Sequence, residues 1–353
     1  MPPKVLIAPN AFKGTMTARD VAMRLAKALY GNFEIQAVPL SDGGDGFIDC
    51  IHFQIQELQL MQSEVTGPIF GSKVQAQWLW DVSNKIAYIE AAQACGLALL
   101  GGQLRPMEAT SFGLGQLVLT AMHQGAEDIY VGVGGTACTD GGVGALQALG
   151  WRFPDQYNRE VAPGGGNLIN IHRILPGPSL SAHVNLMTDV GNNLLGDLGS
   201  APVFAPQKGA TADQTLELEK GLSNLWLHAY KILKLNIDFP GAGAAGGIPA
   251  GFAMTGSASA GSGFELIADL SDLELKMQWA DVVLTGEGCF DRQSSMGKAP
   301  GRVVSLARSM NKKVAIFAGS VVEKAGDINI GITDWKGDFE LAVQALRDQL
   351  SRV

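Results

Sequence analysis

The chain has 353 residues, 46% of them hydrophobic and 17% charged, which is typical of a globular protein with an ample core and excludes a disordered chain. The formal net charge of −8 comes without a basic stripe of the kind that binds nucleic acid. No apolar run approaches the roughly 18 residues of a membrane-spanning helix, so we expect neither nucleic acid nor membrane among the partners.

The two ends of the chain share a β-α rhythm. A buried strand at the N-terminus is followed by a helix whose cap is predicted at Thr17, and the C-terminal part ends in a helix from Glu340. This rhythm favours parallel strands joined by right-handed crossovers. We therefore predict an α/β fold in which residues 1–60 and 278–353 form one flavodoxin-like parallel-sheet domain. Its predicted strands are 5–8, 34–40, 282–284, 314–318 and 330–333.

The middle of the chain, residues 61–277, has a different pattern. Residues 75–80 alternate between apolar and polar, and a short polar link joins them to a second β run at 86–89, which favours antiparallel pairing. A helix over 112–122 and strands over 129–133 and 184–188 are then predicted. We interpret this segment as a second, mixed α/β domain inserted into the first, and we expect the active site in the cleft between the two.

Polar, glycine-rich loops follow predicted strands or precede predicted helices in both domains. Paired glycines expose consecutive N–H groups that suit a phosphate, and nearby aspartates suit Mg²⁺ bound alongside phosphates. Lysines would neutralise the charge on a transferring phosphoryl group. A single loop of this kind is as readily a tight turn or a helix cap, but together they indicate phosphoryl transfer from a nucleotide. The loops contain Lys13; Asp42, Gly43, Gly44 and Asp45; Gly134, Gly135, Thr136 and Asp140; Asp189 and Asn193; Gln207 and Lys208; Glu287 and Asp291.

Residues 241–246 match the glycine fingerprint of dinucleotide-binding proteins. Pro240 precedes the match, Gly247 and Pro249 follow it, and we find no helix pattern that starts there. We therefore expect a loop, mobile or covering a ligand, rather than a dinucleotide site.

Five blocks in the same order resemble the two-domain bacterial glycerate kinases. The resemblance runs from Val5 to about Gly331, which is most of the chain, and ordered blocks are far more specific than one short pattern. The blocks are Ala8-Pro9-Asn10-Ala11-Phe12-Lys13-Gly14; Ser41-Asp42-Gly43-Gly44-Asp45-Gly46; Gly132-Val133-Gly134-Gly135-Thr136 through Asp140-Gly141-Gly142; Phe204-Ala205-Pro206-Gln207-Lys208-Gly209-Ala210; and Thr285-Gly286-Glu287-Gly288 with Asp291, Gln293, Gly297 and Lys298.

The resemblance implies an ATP-dependent kinase that phosphorylates D-glycerate with Mg²⁺, giving 2-phosphoglycerate. It also implies a flavodoxin-like domain that carries an inserted domain. Two other functions stay open: an NAD-dependent dehydrogenase of a small hydroxy acid that uses the glycines at 241–246, and a non-catalytic sensor of glycerate or nucleotide.

Roles are assigned to the loop residues as a hypothesis. Asp189 is predicted to accept the proton of the substrate hydroxyl, with Asp42 or Asp291 as the alternative base. Glu287 and Asp291 are predicted to hold Mg²⁺. The remaining predicted site residues bind nucleotide, phosphate or substrate: Lys13, which also counts as catalytic, and Gly43, Gly44, Gly134, Gly135, Thr136, Gln207, Lys208 and Arg292, the last through a bidentate carboxylate contact.

The cysteines and the N-terminus bear on the cellular compartment. The four cysteines are far apart and form no Cys-x-x-Cys pair, so we expect no zinc site, and free thiols fit a reducing cytosol. Residues 1–4 lead straight into a strand-like run and leave no room for a signal peptide. We predict a cytoplasmic protein whose oligomeric state stays open, a homodimer included.

Overall fold

The structure, a computed structural model, describes residues 2–295 and 298–352. Gly297, which belongs to the last block of the resemblance, lies outside the described residues. The chain divides into two compact units. The first unit contains the residues up to Asp42, residues 49–56 and the residues from Gly263 onward, and the second unit contains Gly43–Ile48 and Glu57–Ser262.

The strands of the described residues alternate with helices at both ends of the chain and cluster between residues 59 and 90. In chain order they are β1 (Lys4–Pro9), β2 (Glu34–Ala37), β3 (Gln59–Thr66), β4 (Lys73–Asp81), β5 (Ile86–Glu90), β6 (Asp128–Gly132), β7 (His183–Met187), β8 (Ala258–Gly261), β9 (Val282–Gly286), β10 (Cys289–Phe290), β11 (Lys313–Ala318), β12 (Ser320–Val321) and β13 (Ile328–Gly331).

The α-helices are α1 (Ala18–Leu29), α2 (Phe47–Gln54), α3 (Ala92–Cys95), α4 (Phe112–Gln124), α5 (Val143–Ala148), α6 (Ser200–Phe204), α7 (Ala212–His228), α8 (Ile248–Ala253), α9 (Gly263–Leu270), α10 (Leu273–Trp279), α11 (Arg292–Ser295), α12 (Ala299–Ser309) and α13 (Phe339–Leu350). Short 3₁₀ turns lie at Ala98–Leu100, Gly165–Asn170, Pro206–Lys208, Ala244–Gly246 and Ile332–Trp335, and a π-helical turn at Ala229–Leu233 extends α7.

The first unit is built on a parallel sheet in the order β2-β1-β9-β11-β13. Numbered along the chain this order is 2-1-3-4-5, the flavodoxin order, so the predicted fold class is confirmed. The predicted cap of α1 is also present, because the Thr17 hydroxyl accepts a hydrogen bond from the Asp20 amide at 3.0 Å. Helices α1 and α13 pack Leu25 and Leu346 into the same core as Ile7 of β1.

The second unit is built on a mixed sheet in the order β3-β4-β5-β6-β7-β8. Strands β4 and β5 pair antiparallel, as the alternating pattern predicted. Strand β3, which was not predicted, pairs antiparallel with β4, and β5 to β8 pair parallel. Strand β8 was not predicted, because Ala-Ser-Ala-Gly has low β-propensity and shows no apolar alternation. Its neighbour β7 supplies the pairing that the side chains of β8 do not specify.

The units differ from the predicted domains in three places: residues 43–48 and 57–60 belong to the second unit, and residues 263–277 belong to the first. Helices α9 and α10 belong to the first unit, where they contact each other and α10 contacts β1. The chain therefore returns to the first unit after Ser262, directly after β8.

The glycine run at 241–246 follows residues 234–238, which have no regular secondary structure. Our expectation that no helix starts nearby was wrong, because α8 begins at Ile248 with Pro249 in its first turn, a position that proline favours. A dinucleotide-binding fingerprint directly follows a strand, and among the described residues no strand directly precedes 241–246, so this run is still not such a fingerprint. Within residues 2–295 and 298–352, no helix combines the length and apolar character needed to cross a bilayer.

Candidate active site

Three predicted site residues of the first unit follow the carboxyl ends of neighbouring parallel strands. Lys13 lies in the loop after β1, and Glu287 directly follows β9. Asp42 lies two residues beyond Leu40, whose amide still bonds the Pro9 carbonyl of β1 at 2.8 Å. The strand order reverses between β1 and β9, and open α/β sheets bind ligands at such a switch point.

Glu287 is a buried carboxylate, 8% exposed. Among the described residues its Oε1 has no hydrogen-bond partner, and its Oε2 lies 4.0 Å from the Lys298 ammonium. Burial raises the pKa of Glu287, and the negative charge of Asp291 raises it further. A hydrogen bond with the Ser294 side chain and the positive charges of Lys298 and Lys13 lower this pKa. A buried oxygen without a partner is costly unless a ligand satisfies it, so this side chain suits a cation with oxygen ligands.

Asp291 holds the turn that begins helix α11. Its Oδ1 accepts hydrogen bonds from the Ser294 amide at 3.1 Å and the Ser294 hydroxyl at 3.3 Å. The neighbouring Arg292 is exposed. No group of three His, Cys, Asp or Glu side chains suited to a metal occurs in the part of the chain that the structure describes. Two carboxylates still match Mg²⁺, which is often bound by one or two carboxylates together with substrate phosphates.

The predicted phosphate-binding glycines of the second unit contact one another. The Gly134 amide, after β6, donates to the Gly43 carbonyl at 2.8 Å. A Cβ atom would lie 2.4 Å from the Gly44 Cα at Gly134, and 2.3 Å from the Met187 carbonyl oxygen at Gly43, where φ is +85°. Close backbone approach therefore requires glycine at both positions. The segment from Gly43 is thereby held against the ends of β6 and β7.

We expect Gly134→Ala to destabilise the protein by about 1–3 kcal/mol, because the new methyl group collides with backbone that cannot move aside. Gly191→Ala is the matched control, since a Cβ there meets nothing within 4 Å and its φ is not positive. Denaturant unfolding of both variants measures the difference. Equal stability of the two variants would show that the 43–44 segment is not packed as described.

Asp189 follows the end of β7 and is held by a residue that we did not predict. Its Oδ1 accepts a hydrogen bond from the Ser262 hydroxyl at 2.5 Å, and the Thr188 amide donates to the Gly261 carbonyl at 2.8 Å. Because Ser262 follows the unpredicted strand β8, no sequence pattern pointed to it. The half-buried carboxylate of Asp189 is thus fixed in orientation by the neighbouring strand end.

Lys208 is 4% exposed, and its ammonium donates hydrogen bonds to other residues of the second unit. It donates to the Cys138 carbonyl at 2.5 Å and to the Thr136 hydroxyl at 3.4 Å. Burial lowers the pKa of Lys208, while Cys138, Cys95 and Asp140 raise it. The two residues of the predicted pair therefore lie in different environments, because Lys208 is buried and Gln207 is exposed. In this conformation Lys208 fixes the loop that carries Thr136.

The same loop has a second internal anchor in the fully buried Asp140. Its carboxylate accepts hydrogen bonds from the Thr110 hydroxyl, the Ser111 amide and hydroxyl, and the Gly142 and Gly144 amides, at 2.7–3.3 Å. Gly135 remains exposed, and its carbonyl accepts from the Leu97 amide at 2.8 Å. Asp140 therefore shapes the loop rather than facing a ligand.

Comparisons with known proteins agree on one family. The model of the glycerate kinase family matches residues 5–345. The chain is 36% identical to glycerate 2-kinase of Escherichia coli K12, covering 92% of this chain and 87% of the relative. It is 37% identical to a glycerate kinase of Haemophilus influenzae, covering 91% and 86%. The crystal structure of a proposed glycerate kinase 2 from Salmonella typhimurium LT2 superposes with a TM-score of 0.81 at 31% identity, covering 100% of this chain and 97% of that one.

Proposed function

The chain belongs to the glycerate kinase family and is a glycerate kinase enzyme, and on this premise we propose that it transfers the γ-phosphoryl group of ATP to a hydroxyl of D-glycerate. The name of the Escherichia coli relative, glycerate 2-kinase, supports 2-phosphoglycerate as the product. The observation that carries the proposal is Asp189, a carboxylate held in one orientation by Ser262 at a strand end.

In the proposed reaction Asp189 accepts the proton of the attacking hydroxyl. Phosphoryl transfer needs little covalent help from the protein, so a base that orients the nucleophile contributes mainly through position. The hydrogen bond from Ser262 holds Oδ1 of Asp189 and so restricts the rotation of the carboxylate. Asp42 stays the alternative base in the first unit.

The first unit supplies the charges that the phosphates require. Glu287 and Asp291 would hold Mg²⁺, whose chemistry is to neutralise charge on the β- and γ-phosphate oxygens. The buried Oε1 of Glu287, which has no partner among the described residues, supports this assignment. Lys13, which is exposed and within electrostatic reach of Glu287, would contact phosphate or the glycerate carboxylate. Arg292 is a further candidate for that carboxylate.

We assign Lys208 a different role from the one expected. Its ammonium already donates to Cys138 and Thr136, so we propose that it positions the Thr136 loop and does not bind phosphate itself. The backbone N–H groups of that loop, at Gly135 and Thr136, then become the phosphate-binding groups.

An assay of ADP release across small hydroxy acids tests the function. We expect turnover with D-glycerate in the presence of ATP and Mg²⁺, and at least about a hundredfold lower kcat/KM with glycolate and lactate. Each of them lacks one of the two hydroxyls of glycerate, and a polar site discriminates strongly against a missing hydroxyl. Phosphorus NMR of the product against standards distinguishes 2- from 3-phosphoglycerate.

Two results would contradict the proposal. ADP release that does not depend on glycerate would indicate another acceptor, and reduction of a nicotinamide cofactor by glycerate would indicate the dehydrogenase.

A further inference from the structure

A cavity of about 620 Å³ lies within the first unit, among helices α9, α10 and α12. Its volume falls in the range of about 300–1,000 Å³ that small-molecule sites occupy. None of its lining residues belongs to the catalytic loops described above, so those loops do not account for it.

The cavity joins an apolar floor to an acidic rim. Phe264, Ala268, Leu273 and Leu306 supply the floor, where the Arg302 guanidinium lies 4.4 Å from the Phe264 ring centroid. The rim carries the carboxylates of Glu265, Asp269, Asp272 and Glu274. Glu265 is paired with Arg302 at 2.5 Å, and among the described lining residues Arg302 is the only cationic one.

This lining selects a ligand with an apolar plane and several hydrogen-bond donors. Carboxylates only accept hydrogen bonds at neutral pH, so the ligand must supply O–H or N–H groups. A phosphate is excluded because the rim is acidic and its one described cation is already paired. A nucleoside fits both demands, since a purine has a flat face and the ribose and exocyclic amine donate.

The cavity adjoins the phosphate machinery through helix α12. Gly301 and Arg302, in its first turn, line the cavity, and Lys298, directly before it, lies 4.0 Å from Glu287. At about 1.5 Å per residue, Gly301 is about 4.5 Å along the helix axis from Lys298. A nucleotide whose nucleoside occupies the cavity could therefore extend its phosphates past Lys298 toward Glu287 and Asp291.

From these observations we propose that the α9-α10-α12 cavity binds the nucleoside half of the phosphoryl donor. The base lies on the apolar floor beside the Arg302–Phe264 stack, and the ribose hydroxyls and exocyclic amine donate to the rim carboxylates that do not pair with Arg302, those of Asp269, Asp272 and Glu274. This inference rests on the proposed function, because it assumes that the donor is a nucleoside triphosphate.

The substitution Ser305→Trp tests the cavity, because the exposed Ser305 is one of its lining residues and an indole there would fill it. We expect the Kd for ADP, by calorimetry, and the KM for ATP to rise at least tenfold, with the KM for glycerate within twofold of wild type. Ser309→Trp is the matched control: this serine is also exposed on α12 but does not line the cavity, so its values stay at those of wild type. Inorganic tripolyphosphate, as a competitive inhibitor of ATP, should bind both variants equally, since it has no nucleoside.

The two proposals fail in different ways. An unchanged ADP Kd in Ser305→Trp, or equal losses in Ser309→Trp, overturns the cavity assignment, even if wild type turns over glycerate. Absence of glycerate-dependent ADP release overturns the proposed function, and ADP calorimetry still decides the cavity assignment. A parallel loss of tripolyphosphate binding in Ser305→Trp also counts against the cavity, because the damage would then extend to the phosphate site.

Discussion

Asp189→Asn is expected to lower kcat for glycerate phosphorylation by about 10²–10⁴-fold, the usual contribution of a general base. The amide oxygen of asparagine can still accept the Ser262 hydrogen bond, so the geometry of the strand end is retained while the basic group is lost. Glycerate-dependent ADP release at saturating substrates measures kcat. Thermal unfolding is expected to match that of wild type.

Ser262→Ala provides the comparison for this prediction. It removes the hydroxyl that orients Asp189 but keeps the carboxylate, so kcat falls by only about tenfold, the equivalent of about 1.4 kcal/mol, which is typical of one lost hydrogen bond. If Asp189→Asn turns over glycerate like wild type, Asp189 is not the base. Asp42→Asn and Asp291→Asn would then be the variants to compare.

The architecture of the first unit could be predicted because its signals are local. Its three central strands, β1, β9 and β11, are short apolar runs buried on both faces, as in Val282–Gly286, and the alternation of strand and helix favours parallel pairing. In the second unit, β8 could not be predicted, because a strand of alanine, serine and glycine is specified by its neighbour β7 and not by its own side chains. For the same reason the sequence did not predict the boundary between the units at Ser262, which directly follows β8.

The sequence indicated that the predicted site residues lie in loops after strands, but it did not indicate their contacts. Gly43 and Gly134 were expected to bind phosphate. In the structure, glycine is required at both positions because another backbone segment lies too close for a Cβ atom. Lys208 was expected to face a ligand, and it is buried against the Cys138 carbonyl. A motif indicates which residue type is required at a position. It does not indicate which residues, distant in sequence, that residue contacts. Ser262 illustrates the point, since it bonds a partner 73 positions away.

Glu287→Gln is expected to separate activity from stability. Because an uncharged amide binds Mg²⁺ more weakly than a carboxylate, we expect the Mg²⁺ concentration for half-maximal activity to rise at least tenfold and kcat to fall by about 10², the scale on which one electrostatic contact acts in the transition state. The free energy of unfolding is expected to fall by no more than about 1 kcal/mol or to rise, because the substitution removes a buried charge whose Oε1 has no partner among the described residues. Titration of activity with Mg²⁺ and denaturant unfolding without Mg²⁺ measure the two quantities.

The control for this prediction is Glu127→Gln, the same chemical change in a carboxylate that pairs with Lys85 at 2.5 Å on the surface. An exposed ion pair contributes about 0–1 kcal/mol, so neither activity nor stability should change appreciably in that variant. If Glu287 instead served to neutralise Lys298 within the fold, Glu287→Gln would lose several kcal/mol of stability and keep its Mg²⁺ requirement. The 4.0 Å separation between Lys298 and Oε2 is longer than a hydrogen bond, which is why we expect the first result. A carboxylate that is buried, weakly paired and placed at the switch point of a parallel sheet is better explained by a ligand than by the fold.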